Sequence, residues 1–282
     1  MANTKTIYTD EQIMKALLSK DFSGIGGIFE DDAIDSVRRC AFQDAVNLTR
    51  VTLPSLLSVS SGCFKGSSIT NLDLSWNDIT EVGSESFYGA LGSRTSLVMP
   101  KLIKAGDGAF GGNPSLTSVT LALFTGALTY SESYYSTSYQ GLFRDCSGLT
   151  SVSLPELTNM PGSMFRACTS LQELVLPKVT SVAGSCFYGC TNLKKVTFKA
   201  NVTSLGSSLF NNDRNLEALV LKGLTGTPTI TSSTFNNSGI ASGSGYIYVP
   251  SALVDTIKGA TYWSTYRDMI RACEDYPSIC GD

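Results

Sequence analysis

Residues 149–170 read LTSVSLPELTNMPGSMFRACTS, and residues 171–192 read LQELVLPKVTSVAGSCFYGCTN. Laid over each other, they share one design: L-x-x-L/V-x-L-P, an apolar residue or two, F-x-x-C, then the next leucine. Working outward, the same phenylalanine recurs along the chain. Phe42, Phe64, Phe87, Phe110, Phe143, Phe165, Phe187, Phe210 and Phe235 are separated by 22, 23, 23, 33, 22, 22, 23 and 25 residues. Nine of the thirteen phenylalanines sit on this ladder, and self-similarity at a fixed period of 20–50 residues marks a repeat architecture. A second ladder runs through Leu48, Ile69, Leu116, Leu149, Leu171, Leu193 and Leu216. Three residues on come Val51, Leu72, Val119, Val152, Leu174, Val196 and Leu219, and two further Leu53, Leu74, Leu121, Leu154, Leu176, Phe198 and Leu221.

The spacing has a direct physical reading. L/V-x-L alternates with period two, which predicts a short strand with one buried face. Proline then ends the ladder, at Pro54, Pro100, Pro155 and Pro177, because it has no N–H to donate. The phenylalanine and its neighbours predict a return by a turn or a short helical segment. One such unit cannot bury its own apolar face, but stacked copies can, each ring packing on the next. With strands pairing in parallel at about 4.8 Å, nine coils make a solenoid roughly 40–45 Å long.

This pattern resembles the leucine-rich repeat in its bacterial BspA-like form, over about residues 34–249. The copy ITNLDLSWN at residues 69–77 resembles the standard leucine-rich motif, with Asn77 placed to hydrogen-bond the turn backbone. The expected fold is an α/β repeat: a leucine-rich-repeat solenoid of about nine coils of 22–23 residues, with a parallel β-sheet, short helical or 3-10 returns, and helical caps at both ends. The expected organisation is an N-terminal helical cap over residues 1–33, the solenoid over 34–249, and a C-terminal helical cap and tail over 250–282. In the first cap, Asp10, Glu11 and Gln12 after Thr9 suggest a capping box. Ile13, Met14, Leu17 and Leu18 then suggest an amphipathic helix over residues 10–20. In the second, YVPSALVDTIKGATYWSTY resembles the tail that closes BspA-like arrays, with Trp263 as its anchor.

Composition narrows the function. Charged residues make up 16% of the chain, against 38 Ser and 28 Thr, so the surface is hydroxylated rather than ionic. A net charge of −3 lacks the electrostatic footprint of a nucleic-acid binder. With no histidine, imidazole-based catalysis and His-ligated metals are excluded. No cofactor is expected, and no enzyme. No metal site is expected, since there is neither a C-x-x-C nor a His. No run of about 18 apolar residues is present to insert into a membrane. Residues 1–9, MANTKTIYT, do not have the form of a secretory signal. The resemblance implies a cell-surface or virion location; without it the expectation is cytoplasmic.

The eight cysteines follow the repeat. Cys146, Cys168 and Cys190 stand three after Phe; Cys63 and Cys186 stand just before it, and Cys40 two before. They read as small buried hydrophobes. Cys273 and Cys280, outside the ladder, are the better-placed pair for a disulfide, although the missing signal argues against an oxidising route. Glu30, Asp31, Asp32 and Asp35 read as a solvated run at a helix start, without EF-hand spacing.

Two features point to binding. The step from Phe110 to Phe143 carries about eleven extra residues in the segment 125–140, TGALTYSESYYSTSYQ. Its Tyr130, Tyr134, Tyr135 and Tyr139 among Ser and Thr have the composition of a paratope. Insertions of this kind map to loops on one face of a solenoid. The outward strand positions include Ser118, Thr120, Ser151, Ser153 and Glu173, and turn apolar later at Val175, Val220 and Tyr248. The expected function is non-enzymatic adhesion to a protein or glycan, on a host cell surface among the options, through this face and the loop. The alternative is a structural or host-attachment component of a phage virion or tail. No nucleic-acid partner is expected.

Overall fold

In Glu173–Leu176, Leu174 and Leu176 are buried while Glu173 and Val175 are exposed, the alternation that the repeat demands of its strand. The computed structural model describes residues 10–67, 69–128 and 141–281. Within each sheet, strands of successive coils pair in parallel and in register. Glu173 lies beside Lys195, Lys195 beside Ala218, and Ala218 beside Tyr246. A slip of one residue would turn each buried leucine outward, so burial fixes the register.

Each coil then crosses to a second parallel sheet through a strand of only two residues. Ser181–Val182 pairs with Asn159–Met160 on one side and Ser204–Leu205 on the other. After it the chain returns through two consecutive turns centred on the ladder phenylalanine. The solenoid has about 10 coils, and its returns carry little helix. Among the described residues, helix is confined to the two ends. The backbone explains why. Residues two before and two after Phe are left-handed, as at Ser163 (φ 55°) and Ala167 (φ 58°), or Ser185 (φ 59°) and Gly189 (φ 74°). A left-handed residue every four positions stops a right-handed helix. The donors that a helix would use are engaged between coils instead: Phe165 N–H donates to Cys186 O at 2.8 Å and Ala167 N–H to Tyr188 O at 2.9 Å.

The phenylalanines form one continuous stack. From Phe42 to Phe235 consecutive ring centroids lie 5.3–5.9 Å apart with interplanar angles of 2–13°. These separations exceed a face-to-face carbon contact of about 3.5–4 Å. The rings are therefore slipped past each other, the arrangement their quadrupoles favour, and each pair gains about 0.5–1.5 kcal/mol beyond burial. Tilted rings terminate the stack. Phe22 and Phe29 meet Phe42 at 44° and 63°, and Trp263 and Tyr266 meet Phe235 at 58° and 73°. Trp263 is buried, and its Nε1–H donates to Pro228 O at 2.8 Å.

The ends differ from the sequence reading in several respects. The ladder runs past residues 34–249: Ile28–Glu30 pairs with Arg50–Leu53, and Tyr246–Val249 pairs with Ile270–Ala272. The acidic run therefore follows a strand rather than opening a helix, and Glu30 forms an ion pair with Arg50 at 3.2 Å. Ile270, read as helical, completes the sheet as a strand residue, after a 3-10 segment over Trp263–Met269. The first helix spans Asp10–Ser19; Ala16 is buried and Leu17 packs partly buried against the core, whereas Leu18, expected on the apolar face, is 79% exposed. Thr9 lies outside the described residues. Asn77 is exposed, and the turn is held instead by Ser75, whose Oγ donates to Leu56 O.

The position three after Phe has a job beyond filling space. Cys146, Cys168 and Cys190 each donate Sγ–H to the phenylalanine carbonyl one coil back, at 3.2, 3.2 and 3.0 Å. Burial raises their pKa values, that of Cys146 to about 12, so the donor proton stays in place. Asn113 does the same with Nδ2, reaching Phe87 O at 3.0 Å and Phe110 O at 2.7 Å. Asp213 takes this slot after Phe210; it is fully buried, and neither carboxyl oxygen has a hydrogen-bond partner. Burial pushes its pKa up to about 9, so it is neutral at pH 7.

Two outcomes follow for stability. Phe187→Ala, in mid-stack, lowers stability by about 3–5 kcal/mol in urea unfolding, whereas Leu18→Ala stays within about 0.5 kcal/mol of the parent. Asp213 has a folded pKa near 9 and an unfolded one near 3.9. Its contribution is complete below the unfolded value and is lost as pH rises through the folded one. Asp213→Asn therefore raises the melting temperature at pH 8 by several degrees, at about 2–4 °C per kcal/mol. It also flattens the decline in melting temperature between pH 5 and 9 that the parent shows.

Candidate binding surface

Strand pairing assembles the predicted hydroxyl residues into a patch. Ser96, Ser118 and Ser151 form one row across three strands, and Val98, Thr120 and Ser153 form the next. Ser151 and Ser153 are exposed and Ser118 and Thr120 half-buried. The two rows contain no charged side chain, so the patch offers hydroxyl donors and acceptors at the fixed spacing of a β-ladder, about 4.8 Å, with one exposed methyl pair at Val98. Glu173 is not part of this patch. It is exposed on the next sheet, beside Lys195.

The other border of the patch is a break in the ladder. The buried strand residue normally stands nine after Phe, as Val119 does after Phe110; Leu72 stands eight after Phe64 and Leu97 ten after Phe87. One residue is lost and then regained, and the strands Asn71–Leu74 and Ser96–Val98 belong to separate sheets. A cleft of about 210 Å³ opens there, lined by Asn71, Leu72, Ser93 and Arg94 among others. Arg94 closes part of the gap: Nη2 donates to Leu72 O at 3.1 Å and its guanidinium stacks over Trp76 at 4.5 Å.

The apolar end of the outward face is not available to a ligand. Ala218, Val220 and Tyr248, read as outward, are buried at 6%, 0% and 3% exposure. Residues 273–281 fold back over them. Cys280 packs on all three, with Cys273 and Ile279 alongside, and Tyr276 meets Tyr248 edge-on at 5.3 Å. Lys195 Nζ donates to Ile279 O at 2.6 Å. The open face therefore ends near Val175, which is 51% exposed. The signal for this cover was present as the apolar pair Ile279 and Cys280 following Pro277, and periodicity had no purchase on so short a segment.

Tyr130, Tyr134, Tyr135 and Tyr139 lie outside the described residues. The flanks of their segment are defined. Thr125 O accepts from Thr158 N–H at 3.0 Å, and Ala127–Leu128 pairs with Lys104–Ala105 in the second sheet. Thr125 to Leu128 are thus ordinary coil, and the extra residues of the 125–140 segment come after Leu128. Leu128 stands fifteen residues before Phe143, where its partner Ala105 stands five before Phe110. Gly126 (φ 96°) and Gly141 (φ 70°) frame the excursion, and a Cβ at either would strike the carbonyl of Asn159 or Ser163. The excursion leaves from the second sheet and re-enters at the Phe turn, where Gly141 N–H donates to Asp107 Oδ1 at 2.7 Å. Its anchors are not on the strands that carry the hydroxyl rows.

Among the described residues, no three His, Cys, Asp or Glu groups gather to hold a metal ion. No helix in them is long and apolar enough to cross a membrane.

The model of the BspA type leucine rich repeat region matches residues 27–140 and 136–253, in six copies. Solved structures with the same kind of architecture include the pneumococcal vaccine antigen PcpA, at 17% identity and a TM-score of 0.51, covering 87% of this chain and 65% of that one. A leucine rich cell surface protein from Faecalibacterium prausnitzii A2-165 is 19% identical, with a TM-score of 0.46 over 73% of this chain and 63% of that one. The chain thus spans slightly under two thirds of either protein. A leucine-rich repeat protein from Bacteroides ovatus is 15% identical, covering 87% of this chain and 82% of the other, with a TM-score of 0.38. No curated protein matches the chain. The family match covers most of the chain and follows the same phenylalanine-bearing coils, and on it the chain belongs to the BspA-type leucine-rich-repeat family.

Proposed function

We propose that the chain is a non-enzymatic recognition protein, binding a protein or glycan through the hydroxyl rows Ser96–Ser118–Ser151 and Val98–Thr120–Ser153. The observation that carries this reading is the patch itself: uncharged, solvent-facing and held rigid by the ladder beneath it. A rigid site costs little ordering on association. Membership of the repeat family supports a binding role. The Tyr-rich excursion is a second contact surface, reached from the other sheet. Tyrosine supplies contact area with few rotors to freeze.

The test uses the full chain on a glycan array and on a panel of cultured host cells. Ser118→Lys with Ser151→Lys places two long cations in the middle of the patch. The double variant keeps its melting temperature and loses at least about tenfold in binding, equivalent to about 1.4 kcal/mol. Deleting residues 131–138 likewise leaves melting nearly unchanged and weakens adhesion. Full binding by both variants would overturn the reading, and loss in only one would assign the contact to that surface.

A further inference from the structure

Six of the eight cysteines belong to the coils, and four of the five that are fully buried there donate to backbone carbonyls. Cys146, Cys168 and Cys190 donate to phenylalanine carbonyls, and Cys186 donates to Ala183 O at 3.0 Å. Cys273 and Cys280 are different. Cys273 begins the 3-10 turn Cys273–Asp275, and Cys280 ends the helix Pro277–Cys280. Between them Tyr276 N–H donates to Cys273 O and Cys280 N–H to Tyr276 O, both at 3.0 Å. The chain doubles back and brings both cysteine side chains into one small cluster. Both pack against the same small apolar cluster, Ala218, Val220 and Tyr248.

This segment has little to hold it. Its helix has four residues, too few for stability of its own. It depends on the Tyr276–Tyr248 contact, the packing of Cys280, and the Lys195 and Lys222 ammonium groups donating to Ile279 O at 2.6 Å and Cys280 O at 3.4 Å. Without it, three apolar outward positions of the last strands stand open to solvent.

We propose that Cys273 and Cys280 form a reversible disulfide that clasps residues 273–281 over the outward face of the last strands. Cys273 is half-exposed, which gives an oxidant access. The oxidant is a low-molecular-weight disulfide. One cysteine, after losing its proton, attacks a sulfur of that disulfide, breaking its S–S bond and expelling one thiolate. The other cysteine, likewise deprotonated, attacks the mixed disulfide, forming the Cys273–Cys280 bond and expelling the second thiolate. The two protons end on the two released thiols; the protein pair is oxidised by two electrons and the small disulfide is reduced by two. The short closed loop restricts the ways in which the cover can open.

The full chain is incubated natively with oxidised glutathione, quenched with acid, unfolded, alkylated and cleaved after Arg271. Oxidation removes two hydrogens from the peptide of residues 272–282 and leaves it without alkyl label. Prior reduction with dithiothreitol gives the same peptide two labels. Amide exchange at Val220 and Tyr248 slows by at least about tenfold in the oxidised form, as expected when local opening is restricted. Cys273→Ser keeps the exchange of the reduced parent and shows no change with glutathione. Two labels after oxidation, a separate glutathione adduct on each cysteine, or equal exchange in oxidised and reduced parent would each overturn the proposal.

Discussion

Every coil of this protein must deliver one phenylalanine ring to the same height and lateral position as the ring before it. That constraint organises the rest. A buried phenylalanine contributes about 1.5–3 kcal/mol by transfer alone, and the slipped stack adds to each neighbouring pair. The two sheets and the hydrogen-bonded turns then repeat because the rings repeat. Where the chain departs from the period, it does so away from the ring. The ten-residue excursion after Leu128 and the one-residue shift at Leu72 and Leu97 leave the Phe87–Phe110 and Phe110–Phe143 contacts at 5.8 and 5.6 Å.

The stack also sets the chemistry of its surroundings. Most ladder phenylalanine carbonyls accept a turn N–H from their own coil, and in several coils a side chain three after the next ladder phenylalanine supplies a second donor. Cysteine and asparagine appear in that slot for this reason, whereas serine there turns to its own coil. Ser67 and Ser238 donate to the carbonyl of their own phenylalanine at 2.7 Å. Asp213 stands in the same slot without making such a bond, and its burial as a neutral acid ties part of the stability of the solenoid to pH.

How much of this was legible depended on how many residues carried each signal. The Phe and Leu ladders gave the coil, its strand and the parallel register, because the ring is stated nine times and each strand position at least seven. The second sheet was hidden, since a strand of two residues such as Ser181–Val182 has no period to read. The returns were read as helical or turn-like because fewer than half of their left-handed positions are glycine: Glu85, Ser163, Ala167 and Ser185 all adopt φ between 54° and 59°. Inter-coil hydrogen bonds impose that conformation, and they are visible only once coils are stacked. For the candidate surface, Ser118, Thr120, Ser151 and Ser153 were placed by alternation alone. The cover over Val220 and Tyr248 comes from residues more than twenty-five positions downstream, a contact no local pattern encodes.

The most direct test of the stacked-ring account is an aromatic NOESY experiment on protein labelled at phenylalanine. Rings adjacent on the ladder, such as Phe165 with Phe187 and Phe187 with Phe210, give cross-peaks consistent with centroid separations of 5.9 and 5.4 Å, and rings two or more coils apart give none. Cross-peaks joining distant rings, Phe42 with Phe210 for example, or none between neighbours, would contradict it.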